Sequence, residues 1–178
     1  MRSFLPDWYS YEHLLVYQGF LQDAKELILN KDLNFVYFHF PIPHPPQIYD
    51  PQVMKERSFN SNPFGYNENL ALVEKSYVEI KKLLEENQMW ENSIVIISAD
   101  HWKRVPREYF SAHSEIPLII KLEKKYNNGF AYNPVVSSII VRDLILPLLR
   151  GEINTTEDLV SFISKEAHKY PTLPLVTN

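Results

Sequence analysis

The sharpest chemical signal in the sequence is Ile94-Val95-Ile96-Ile97-Ser98-Ala99-Asp100-His101, an apolar, β-branched run that ends on an acid and a histidine side by side. Ligands of open α/β sheets bind outside the carboxyl ends of the strands. A carboxylate and an imidazole presented there suit zinc or another divalent cation with mixed oxygen and nitrogen ligation. A strand-terminal Asp that caps the following turn, with a neighbouring His, is the plainer alternative. A second feature is His39-Phe40-Pro41-Ile42-Pro43-His44-Pro45-Pro46. It also follows an apolar run, so His44 is expected on the same rim as Asp100. There it could donate to an anionic substrate oxygen or ligate metal, or simply be a surface histidine. His113 stands four residues before Pro117 and is expected to reach the same rim. Arg104, and more weakly Lys103, could complement a tetrahedral oxyanion. His39, inside an apolar run, reads as a core residue. His13 and His168, on terminal helices, read as bystanders.

The elements that must position these residues follow from periodicity. Apolar residues at helical spacing predict a helix over Tyr11–Asn30 and another over Tyr66–Glu86. Leu33–Phe40, almost wholly apolar, reads as a strand buried on both faces and ended by Pro41. Pro41–Gly65 is a long loop that contains six of the 13 prolines, and loops of this length are often functional. Ile94–Ser98 and Leu118–Leu122 are two further strands. Val135–Leu149 is predicted helical, and Thr155 or Thr156 caps a last helix to about Ala167. Helices alternating with buried strands imply an α/β protein, a three-layer α/β/α sandwich with a mostly parallel sheet. The whole chain, 1–178, reads as a single domain.

Composition narrows the function classes. The net charge of -4 argues against nucleic-acid binding, which asks for a basic face. With no cysteine there is neither a thiolate metal site nor a cysteine nucleophile. No stretch approaches the roughly 20 apolar residues of a membrane span, and the N-terminus lacks the apolar region of a signal peptide.

The order of these features resembles the sulfatase-like branch of the alkaline phosphatase superfamily. The shared pattern is an apolar strand, Pro-x-Pro-His-Pro-Pro, a long loop, a helix opening Tyr66-Asn67-Glu68-Asn69-Leu70, a strand ending Ser98-Ala99-Asp100-His101, and then His113 ahead of Pro117-Leu118-Ile119-Ile120. It covers roughly half the chain, from Asn34 to Leu122. The resemblance implies that Asp100 and His101 are ligands of a divalent metal (Zn, Ca, Mg or Mn), that His44 lines the substrate pocket, and that His113 supports the site. The substrates would be sulfate or phosphate esters, and the parent protein could be membrane-anchored with its catalytic part outside the cytoplasm. Trp102 departs from the glycine usual after Asp-His, and Glu74 from a usual Asp. The family's nucleophile, a Ser, a Thr or a matured Cys, lies upstream of the matched region. Ser58 and Ser61 stand in the wrong context to replace it. The chain is therefore expected to be the C-terminal portion of a catalytic domain, weakly active or inactive alone, with an exposed sheet edge prone to self-association. A non-catalytic relative that binds anion, metal or a partner chain is the alternative, ahead of an unrelated small α/β protein.

Overall fold

The computed structural model describes residues 8–50, 52, 55–56, 65–102, 115–126 and 129–170. The chain divides into two compact units, Met1–Trp90 and Glu91–Asn178.

The first unit is built on two long helices, α1 (Trp8–Leu29) and α2 (Tyr66–Glu86). Leu14, Tyr17, Leu21 and Ala24 recur at helical spacing and form the buried stripe of α1. Leu14, Tyr17 and Leu21 pack with Leu72 of α2 and with Ile42, Ile48 and Tyr49 of the intervening loop. Two polar side chains inside this core pair with each other. Ser76 donates to the Leu72 carbonyl at 2.7 Å, so the Tyr17 hydroxyl, 3.1 Å away, donates to Ser76. At the rim Lys25 meets Glu79 at 2.7 Å. The loop carries a two-residue antiparallel pairing of β1 (Tyr49–Asp50) with β2 (Lys55–Glu56). Gly65, just ahead of α2, lies against Gln47. A Cβ there would fall 2.2 Å from the Gln47 Cβ, so only glycine lets the loop and the helix meet.

The second unit holds an antiparallel ribbon of β3 (Val95–Ser98) and β4 (Leu118–Lys121), registered Val95 to Lys121 through Ser98 to Leu118. Helices α3 (Ile140–Leu149) and α4 (Thr156–Glu166) supply Ile140, Leu144, Leu148, Leu159 and Ile163 to its core. Ile96, Leu118 and Ile120 pack onto that core from one face of the ribbon. The opposite face is open, with Ile119 57% exposed. A reciprocal cap opens α4. The Thr155 hydroxyl accepts from the Asp158 amide at 3.1 Å, and the Asp158 carboxylate accepts from the Thr155 amide at 3.0 Å.

The architecture corrects the expected three-layer sandwich. Among the described residues helices dominate, and both sheets are two-stranded and antiparallel. Among the described residues the ribbon of the second unit packs onto α3 and α4 from one face. Leu33–Phe40 enters no ladder. Its exposure alternates instead: Leu33, Phe35 and Tyr37 are open to solvent, and Val36, Phe38 and Phe40 are half-buried. An apolar run says that burial would be favourable but not which strand will pair with it. α3 also begins five residues later than its periodicity suggests. The Ser137 carbonyl accepts from the Ile140 amide at 3.0 Å and starts the turn there.

Candidate functional site

Asp100 and His101 follow directly on β3. Strand β4 runs antiparallel to β3, so its first residues lie beside the last residues of β3, and the Ser98 hydroxyl donates to the Pro117 carbonyl at 2.9 Å. Asp100 projects into solvent rather than into the core, its side chain 59% exposed. Its carboxylate accepts the His101 backbone N–H at 3.0 Å, which folds the Asp side chain back toward the histidine. The His101 Nδ1 lies 2.6 Å from the Trp102 carbonyl. A carbonyl only accepts, so Nδ1 carries a proton, and in the neutral ring Nε2 keeps its lone pair. That lone pair stands 3.6 Å from the Asp100 Oδ2. Metal-binding histidines typically use their second ring nitrogen in this way, donating it to a carbonyl to fix the tautomer.

Bonds of about 2.0–2.2 Å meeting at a tetrahedral centre put two ligand atoms roughly 3.4 Å apart. The Asp100–His101 bite is therefore of the right size for a shared cation. No third carboxylate or imidazole completes a ligand cluster among the described residues. His113 and Arg104, like Lys103, Ser58 and Ser61, lie outside the described residues.

His44 belongs to the first unit, and its side chain reaches solvent. It repeats the arrangement of His101. Its Nδ1 donates to the next carbonyl, that of Pro45, at 2.7 Å, which leaves Nε2 outward. The loop that carries it is short of backbone donors, because Pro41, Pro43, Pro45 and Pro46 have no N–H. Its carbonyls must therefore find donors elsewhere. Asn69 of α2, fully buried, supplies two of them, to the His44 carbonyl at 3.0 Å and the Pro46 carbonyl at 2.9 Å. Its own oxygen accepts the Ile48 amide at 3.0 Å.

His13 of α1 lies near His44. Its Nε2 is buried with no partner. Burial holds this imidazole below its ordinary value near 6.5. The polar His44 backbone nearby opposes that shift, and the charge of the His44 ring adds to it. The sequence set His13 aside as a bystander; the fold makes it a neighbour of His44. Asn69 passed unnoticed because a polar residue does not register in an apolar stripe. The available signal was a run of prolines whose carbonyls needed a donor.

The second unit also carries an open groove of about 490 Å³, lined by Tyr132, Pro134, Val135, Ser164, His168 and Tyr170 among others. Neither Asp100 nor His101 lines it, and the Tyr132 and Ser164 hydroxyls bond to each other at 3.1 Å. No helix among the described residues is long and apolar enough to cross a membrane. No protein-family model, curated protein or solved structure matches the chain.

Proposed function

We propose that the chain is part of a sulfatase-like, metal-dependent enzyme that cleaves or transfers sulfate or phosphate esters. Asp100 and His101 supply two ligands to a divalent cation, and His44 faces the substrate. The observation that carries this proposal is the paired geometry at the end of β3: an Nε2 lone pair with its tautomer fixed, 3.6 Å from a carboxylate oxygen. The motif order from the Pro-rich loop to Pro117 supports the same assignment.

When bound, the cation would lower the pKa of a hydroxyl nucleophile and stabilise charge on the transferring group. The residues of this chain orient and exchange protons. The His101 Nδ1–H bond to Trp102 keeps its ring in one tautomer, and Asp100 is held against it by the His101 amide. His44 presents a basic Nε2, able to take a proton from an attacking hydroxyl or, once protonated, to donate to an ester oxygen. His113, four residues before Pro117 in the sequence, or His44 is the proposed third ligand. Arg104, two residues after Trp102, is the proposed partner of the oxyanion. Ser58 and Ser61 are not assigned as nucleophile.

The test is a zinc titration by calorimetry of wild type against the Asp100→Ala, His101→Ala double variant. Zinc affinity is expected to fall by at least about 100-fold, since even the partners of metal ligands are worth 10–100-fold. Equal binding by the two proteins would end the metal assignment. Metal binding without turnover of aryl sulfate or phosphate esters would favour the non-catalytic alternative.

A further inference from the structure

Residues 33–40 have the composition and the side-chain alternation of a strand, but they join no ladder. Val36, Phe38 and Phe40 are half-buried on one side. Phe40 packs against the core of the first unit, its ring 6.5 Å from that of Phe20 on α1. Leu33, Phe35 and Tyr37 turn outward, with Tyr37 76% exposed. When one face of an extended segment lies on the protein, its backbone N–H and C=O groups point sideways along the surface. Among the described residues, none of these groups from Asn34 to Phe38 is bonded to another backbone group. Natural proteins guard such an edge with a charge, a proline or a bulge. Residues 33–40 contain no Asp, Glu, Lys, Arg or Pro.

We infer that this segment pairs antiparallel with the same segment of a second copy of the chain, making a two-fold dimer by strand addition. The antiparallel ladder is itself two-fold symmetric, so an unguarded strand is complementary to an identical one. Centred on Val36, the pairing sets Phe35 opposite Tyr37 of the second copy on the outer face, and aromatic pairs across strands are favourable. The available area is of dimer size. Beside the segment, on the side that Phe20 shares with Phe40, α1 carries Tyr9, Val16, Phe20 and Leu27 at helical spacing, all of them exposed. At about 150–250 Å² for a whole aromatic side chain, these four residues with Leu33, Phe35 and Tyr37 offer roughly 600–700 Å² of exposed apolar surface. Backbone pairing adds to that, and a standard interface takes about 800 Å² from each partner. The interface uses none of His44, Asp100 and His101, so it stands apart from the proposed metal chemistry.

Interfaces of this size hold at micromolar concentration or below, so sedimentation velocity of the full chain at about 50 μM should show a dimer. Phe35→Lys combined with Tyr37→Lys should weaken it at least about 100-fold, because like charges then face each other across the two-fold axis. Both side chains are exposed, so the circular dichroism of this variant should match wild type. The chain has no cysteine, and single-cysteine variants at Asn34, Phe35, Val36, Tyr37 and Phe38 can therefore be oxidised without background. Disulfide-linked dimer should peak at Val36→Cys and fall away on both sides, since only a residue near the axis meets its own copy within disulfide reach. Equal linkage along the whole segment marks parallel stacking and overturns the inference. A wild-type monomer at the same concentration overturns it too, as does a dimer that the lysine pair leaves intact, which would place the contact on another face. If the lysine variant does not fold, the cysteine profile decides.

Discussion

Replacing Asn69 removes three hydrogen bonds from one buried side chain, and the expected cost can be worked through bond by bond. Ile48 is fully buried, so its N–H is left with no acceptor, at about 1–3 kcal/mol. The buried Pro46 loses its carbonyl's donor, at about 1 kcal/mol. His44 is exposed and its carbonyl can turn to water, so its loss is small. Asn69→Ala should therefore destabilise the first unit by roughly 2–4 kcal/mol, the terms being only partly additive. A urea dependence of about 2 kcal/mol per molar converts 3 kcal/mol into a midpoint lower by about 1.5 M. The assay is urea unfolding followed by circular dichroism, with the slope compared between variants. Asn69→Leu is the decisive control. It fills the volume that alanine empties but restores none of the bonds, so it should fall by a similar amount. A leucine variant as stable as wild type would refute the reasoning, because it would show that packing and not the amide holds the loop.

Two further outcomes follow from the same structure. Thr155→Ala breaks one half of the reciprocal cap on α4 and should cost about 1 kcal/mol in thermal or urea unfolding, while Thr155→Ser retains most of it. His13 has its folded-state pKa depressed by burial, so the unfolded chain binds the extra proton first. Stability should be fully present above about pH 6.5 and decline as pH falls from there toward the folded-state value. His13→Asn should remove that part of the pH dependence, read as the difference between the two unfolding profiles; coincident slopes below pH 6.5 would show that His13 does not contribute.

The sequence by itself determined what depends on neighbours within a few residues. Helix α2 begins and ends at Tyr66 and Glu86 as its apolar spacing indicates, and Thr155 caps α4 as a threonine ahead of an acidic first turn should. The strands near 95 and 118 and the Asp100–His101 pair after the first of them were equally legible, because β-branched runs and their polar ends are local patterns. Tertiary structure decided which strand pairs with which, and in what direction. Leu33–Phe40 has the composition of a buried strand, yet it lies outside any ladder, and β3 meets β4 antiparallel. Pairing is a contact across tens of residues whose free energy depends on what else covers each face, and no local period encodes it. The same holds for His13 and Asn69, distant in sequence from His44 and from each other. Only the packing of α1 and α2 against a loop that lacks backbone donors brings them beside it.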